Sequence, residues 1–205
     1  MRFVELSFEE SYRESFKLAE KISQSFSPDV IVYLAKGGYI FGRNIAAFFG
    51  APVFELSSKR SGDEIKRKNA ALLMKLPRCA RRVLREIEIR LRLNKKNEEQ
   101  KQQFYLTSRY EPPASANKIL LIDDSADSGS SIVTALEFLK ELYPYGDVRI
   151  AALNVFDAAM QKVKIDYFTY RNTLISTPAS KDNKQYHLFI EMYEKGEMPS
   201  NASTV

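Results

Sequence analysis

Two continuous apolar runs, DVIVYLA at residues 29–35 and KILLI at 118–122, differ from the rest of a chain whose apolar residues are spaced mostly for helices. Unbroken, β-branched runs of this length predict strands covered on both faces, as in a parallel sheet. Between and around them the pattern changes period. Ser7 followed by Glu10 has the form of a capping box and predicts a helix that ends near Phe26, before the turn at Ser27 and Pro28. YIFGRNIAAFFG predicts a helix closed by Gly50, and PVFEL a strand. A helix is predicted from about Gly129 to Leu142, a strand at DVRIAALNVF and a short strand near DYFTY. Strand and helix in alternation predict right-handed crossovers and an α/β fold with a doubly wound, mainly parallel sheet. No internal repeat is present.

In such sheets ligands bind beyond the carboxyl ends of the strands, and two of those ends carry unusual chemistry. The run 119–122 leads into Asp123 and Asp124, then Ser125, Ala126, Asp127, Ser128, Gly129, Ser130 and Ser131. The small residues let the backbone close around a ligand, and the N–H groups opening the next helix favour an anion such as phosphate. Adjacent carboxylates in a dry site call for hydroxyl donors, a cation, or both. The other end is YLAKGG, where Ala35, Lys36, Gly37 and Gly38 turn from strand to helix. Its glycines permit close backbone approach, and its lysine can meet a diphosphate.

ILLIDDSADSGSS, residues 119–131, closely resembles the phosphoribosyl pyrophosphate (PRPP) binding motif of type I phosphoribosyltransferases, and YLAKGG resembles that family's pyrophosphate loop. The resemblance implies that Asp123 and Asp124 hold the ribose 2′ and 3′ hydroxyls and that residues 126–131 wrap the 5′-phosphate. It implies Mg²⁺ as cofactor, with Asp123 and Asp124 as its candidate ligands. Asp127 would handle the proton at purine N7, and Lys36 would stabilise the leaving diphosphate. A non-proline cis peptide, found in this loop in some members, would fall at Ala35–Lys36. IDYFTY resembles a base-stacking segment of 6-oxopurine enzymes and points to Tyr167 or Phe168. Those enzymes usually place a lysine on the purine O6, whereas the matching position here is Phe156; Lys162 and Lys164 are the substitutes at hand. The implied reaction transfers ribose 5-phosphate from PRPP to a nucleobase with release of pyrophosphate, and Asp127 and the aromatic segment point to a purine as that base. The resemblance covers about residues 25–57 and 117–170.

Composition and charge bound this picture. With 205 residues and 44% hydrophobic content the chain is expected to form a single domain over 1–205, with a hood and tail at 156–205. No apolar stretch approaches the roughly 18 residues of a membrane span, and four acids within the first fifteen residues are unlike a secretory signal. A cytoplasmic homodimer is expected. Cys79 and His187 are the sole residues of their types, which excludes an internal disulfide and any histidine or multi-cysteine metal site. Neither is needed as a nucleophile. The net charge of +5 is uneven: residues 59–101 hold 15 Lys and Arg against 6 Asp and Glu, leaving the remainder acidic. The stretch 58–110 is therefore read as a basic helical insertion and flexible-loop region, with a helix on each side of Pro77 and Val83, Leu84, Ile87 and Leu91 on one face. Ser58 and Lys59 are candidates for a closing lid. A rival reading follows from this charge, namely a regulatory PRPP- or nucleotide-binding protein whose insertion binds nucleic acid.

Overall fold

In a computed structural model, the structure describes residues 2–60, 83, 86–87, 102–106 and 111–198. Ser7 opens the first helix, α1 (Phe8–Ser23), as the capping box predicts: its hydroxyl accepts from the Glu10 N–H and its own N–H donates to Glu10 Oε2 at 2.7 Å. The apolar run that follows is β2 (Val30–Leu34), every residue of it buried. α2 (Tyr39–Phe49) then leads through Gly50 into β3 (Val53–Arg60). After the basic stretch come β4 (Gln102–Leu106), β5 (Lys118–Ala126), α3 (Ser130–Leu142), β6 (Asp147–Val155), the short α4 (Asp157–Met160) and β7 (Tyr167–Arg171). β8 (Thr173–Ser176) pairs in parallel with β1 (Arg2–Glu5) in a separate two-stranded sheet, and α5 (Tyr186–Lys195) follows.

The main sheet has the order β4-β3-β2-β5-β6-β7, parallel throughout except for β4 at one edge. Alternate residues of its central strands enter two different cores. Ile31, Tyr33, Leu120 and Ile122 pack with residues of α1, α2 and α5, whereas Val30, Val32, Ile119 and Leu121 pack with Ile132, Ala135 and Leu139 of α3. Burial on both faces explains why these strands read as unbroken apolar runs. The order also creates a switch point: from β2 the chain moves outward to β3, then returns to place β5 on the other side of β2. A crevice opens at such a reversal, between the loops leaving the two strands.

The structure adds to the sequence reading at three places. The strand at 118–122 continues through both aspartates to Ala126, because Asp123, Ser125 and Ala126 keep pairing with Ala152, Asn154 and Val155 of β6. The stretch 58–110, read as a helical insertion and flexible loop, has strand at its two ends, which form the antiparallel β3–β4 pair with Ser58 opposite Phe104. Lastly, β1, β8 and α5 were not anticipated. The helices flanking Pro77 fall largely outside the described residues; of their apolar face, Val83 and Ile87 are helical and exposed.

The contact between α2 and β2 is set by Gly42, where a Cβ would come within 2.6 Å of the Tyr33 Cβ. Gly42→Ala is expected to destabilise the protein, since overpacking a core costs about 1–3 kcal/mol and the helix propensity gained returns only about 1 kcal/mol. Denaturant unfolding measures it. A more stable variant would contradict this packing.

Candidate active site

The loops that follow β2 and β5 meet in one cleft of about 780 Å³, its open mouth included. Leu34, Ala35 and Gly37 line one wall and residues 123–132 the other, with Phe104 of β4 at the side. Both loops suit this place for local reasons. β2 ends where the Ala35–Lys36 peptide turns cis, and Gly38, buried against the backbone of Leu34 and Ile122, starts α2. β5 ends in small residues, and Gly129, with φ at +74°, turns the chain into α3. That backbone angle is open to glycine and costly for most other residues.

The two walls touch through Gly37. A Cβ at this position would lie 2.2 Å from Asp124 Oδ1, so the carboxylate occupies the space that any other residue would fill. Asp124 Oδ2 accepts a long 3.4 Å hydrogen bond from Thr177, which follows β8, and the Asp124 N–H donates to Asp123 Oδ1 at 2.9 Å. Burial, and then the charge of Asp124, push the Asp123 carboxyl well above the usual carboxylate range; Asp127 adds to the effect. An acid held this way gains from any cation or hydroxyl donor that approaches it.

Asp127 is held by a partly buried relay. The Ser125 hydroxyl donates to Asp127 Oδ1 at 2.7 Å, and fully buried Asn154 on β6 donates to Ser125 Oγ at 3.4 Å. Asn154 Oδ1 in turn accepts from the Thr173 N–H at 3.3 Å. Further along the loop, Ser128 donates to Ser130 Oγ at 3.2 Å. Ser131 also lines the cleft.

The structure thus brings Asp123 to Ser131 together with Ala35 and Gly37. It does not bring the other expected residues there. Lys36 is exposed and its ammonium lies 5.1 Å from the centre of the Tyr193 ring of α5. Tyr167 is at the amino end of β7, level with Ala151 and Ile122 and so below the acid pair; its hydroxyl is 2.8 Å from that of Ser25. Phe168 lies beside Lys21, whose ammonium is 5.3 Å from the ring centre, and Phe156 is buried against Leu174 and Phe3. None of these three aromatics lines the cleft. Lys164 is paired with Asp166 at 2.7 Å, while Lys162 reaches Ser130. Exposed His187 stacks edge-on with Tyr186 of its own helix, away from the lining residues. Sequence reasoning missed Phe104, Asn154 and Thr177. Each is brought in by strand pairing or chain return, for which no local motif exists.

Asp123 and Asp124 are oxygen donors of the kind Mg²⁺ takes, and the raised Asp123 carboxyl marks a place where added positive charge is favourable. Among the described residues no group of three or more His, Cys, Asp or Glu is arranged to hold a metal. A metal here would therefore need most of its ligands from substrate and water, the usual habit of Mg²⁺. Among the described residues no helix is long and apolar enough to cross a membrane.

No curated protein matches the chain in sequence. Solved structures do match in shape. The purine phosphoribosyltransferase from Pyrococcus horikoshii Ot3 superposes with a TM-score of 0.59 at 20% identity, covering 88% of this chain and 95% of that one. The Helicobacter pylori xanthine-guanine-hypoxanthine phosphoribosyltransferase gives 0.60 at 14% identity, with 95% and 99% covered. A hypothetical protein from Neisseria gonorrhoeae with bound ppGpp gives 0.53 at 16% identity, with 96% and 98% covered. At these identities the likeness is one of fold. The family is shown by sequence: the model of the phosphoribosyl transferase domain matches residues 7–188, from the cap of α1 into α5, and the chain belongs to that family.

Proposed function

We propose that this chain transfers the 5-phosphoribosyl group of PRPP to a ring nitrogen of a purine base and releases pyrophosphate. The observation that carries the proposal is the single cleft in which the loop 35–38 and the loop 123–131 face each other. PRPP has a diphosphate at one end and a monophosphate at the other, with a diol between them, and the two loops offer matching groups in that order. Asp123 and Asp124 would accept from the ribose hydroxyls, and the N–H groups and hydroxyls of 127–131 would take the 5′-phosphate. The bond from the anomeric carbon to the diphosphate oxygen breaks, and one to the base nitrogen forms. The work of the protein is then to orient the two reactants and exclude water, without a covalent nucleophile. Mg²⁺ bound by Asp123 and Asp124 would supply charge neutralisation for the leaving diphosphate. Lys36 can add to it only by leaving the Tyr193 ring.

Two features support a purine as acceptor. Asp127, fixed by Ser125, is a carboxylate held at the cleft where a proton on the base can be exchanged. Two structural neighbours are purine enzymes. A regulatory nucleotide-binding protein is the second reading. It is favoured by one observation, that Phe156, at the position where oxopurine enzymes place a lysine, is buried outside the cleft.

Asp124→Asn is expected to weaken PRPP binding by tenfold or more, as expected for loss of a charged acceptor worth about 1.5–3 kcal/mol. Calorimetry reads it, and unchanged affinity would remove the acid pair from the site. Asp127→Asn should lower turnover by about 10² or more with little change in PRPP affinity. Pyrophosphate release assayed with hypoxanthine, guanine and xanthine tests this. Low rates with poor discrimination among the three are expected, because Phe156 stands where oxopurine enzymes place their O6-reading lysine and lies outside the cleft, and sites that make no bond to a substrate group discriminate weakly. PRPP binding without turnover on any base would favour the regulatory reading.

The raised Asp123 carboxyl also fixes a pH dependence. A group whose folded pKa lies above its unfolded value stabilises the fold below the unfolded value, and that contribution is lost as pH rises through the folded one. Without substrate, Asp123 should therefore cost stability at neutral pH. Asp123→Asn is expected to raise the Tm at pH 7, by about 2–4 °C for each kcal/mol relieved in a chain of this size, and to flatten its decline between acid and neutral pH. Parallel Tm–pH curves for the two proteins would show that the carboxyl is not held up by its surroundings.

A further inference from the structure

Lys162 stands at the opening of α3, where a cation is out of place. Its ammonium donates to Ser130 Oγ at 3.4 Å, and Ser130 is the first residue of that helix. The amino end of a helix carries partial positive charge and four N–H groups without helical partners, so a lysine there is repelled unless an anion joins it. Among the described residues no carboxylate pairs with Lys162, whereas its near neighbour Lys164 is paired with Asp166.

This placement is built into the fold. After α4 the chain makes a tight turn in which the N–H groups of Lys162 and Val163 both donate to Ala159 O at 3.0 Å. The turn rests directly on the phosphate loop: a Cβ at Gly129 would meet Val163 Cγ1 at 3.2 Å and Ala159 at 3.3 Å. Gly129 thus serves both the left-handed backbone of the loop and the close seating of the turn that carries Lys162.

We infer that Lys162 is a further ligand of the 5′-phosphate, adding a mobile cation to the N–H groups and hydroxyls of residues 127–131. This rests on the phosphoribosyl reading of the loop and assigns Lys162 a role other than reading the base. A phosphate ester arriving at Ser130 meets the ammonium at once, and the helix end and the lysine then attract the same group.

The test compares two ligands that occupy opposite ends of the cleft. Lys162→Met should weaken ribose 5-phosphate and PRPP by about 5- to 10-fold, the effect of losing one charge-assisted hydrogen bond open to solvent. Pyrophosphate, which belongs with the loop 35–38, should bind the variant within about twofold of the parent, a difference too small for a lost charge contact. Lys162→Arg should restore most of the ribose 5-phosphate affinity, and the gap between parent and Met variant should shrink in high salt. The Tm should not fall, since the side chain is exposed and its charge is unfavourable at the helix end. Unchanged ribose 5-phosphate affinity in Lys162→Met would overturn the role of Lys162 alone, and so would an equal loss for pyrophosphate. If the parent protein binds pyrophosphate but no ribose 5-phosphate, the phosphate-loop reading falls and the role of Lys162 falls with it.

Discussion

The contact between Gly37 and the Asp124 carboxylate is the constraint on which the site depends. Space for a single Cβ separates two designs: with glycine the loop after β2 lies against the acid pair, and with any other residue one of them must move. Everything nearby is arranged to bring these groups to that distance. β2 and β5 are adjacent and parallel, in a register that sets Tyr33 beside Ile122, so the two strands deliver their loops at the same height. Buried Gly38 tucks under the backbone of Leu34 and Ile122, and the Ala35 N–H is tied to Leu56 O on the far side.

Such proximity has an electrostatic cost. Asp123 and Asp124 are neighbours in sequence, both at the cleft, with Asp127 close behind. Nothing in folding alone rewards this, and the Asp123 carboxyl, raised first by burial and then by the charge of Asp124, records the cost. Hydrogen bonds spread part of it: the Asp124 N–H serves Asp123, Thr177 serves Asp124 and Ser125 serves Asp127. The donors come from β5 itself and from the segment after β8, which a buried Asn183 fastens by bonding both Leu6 O and Ser176 O at 2.9 Å. The small β1–β8 sheet thus supports the acid pair from outside the main sheet.

Much of this was legible in the sequence because it is local. The capping box at Ser7, the doubly buried runs of β2 and β5, and the two small-residue loops each announce themselves within about ten residues. Chain-distant arrangements were not legible. The antiparallel β4 was hidden in a stretch whose charge suggested helices, and its Phe104 reaches the cleft through pairing with β3. The carboxyl end of β5 was misjudged because charged residues ordinarily end a buried strand, whereas here pairing with β6 carries it to Ala126. The aromatic segment at 167–168 matched a pattern, but its register sets Tyr167 one residue below the acid pair, and Phe168, although level with Asp123, lies two strands away from the cleft and does not line it. Lys36 had the right position in sequence, yet the ring of Tyr193 from the unanticipated α5 claims its ammonium.

The most direct test of this account is the PRPP affinity of Gly37→Ala, measured by calorimetry together with its Tm. The added methyl group would displace the Asp124 carboxylate, the softest neighbour in its way, while the rest of the fold stays intact. PRPP affinity should fall tenfold or more, in keeping with about 1.5–3 kcal/mol for a charged hydrogen bond, at nearly unchanged Tm. Parental affinity in this variant would contradict this, because the two loops would then not depend on the contact that joins them.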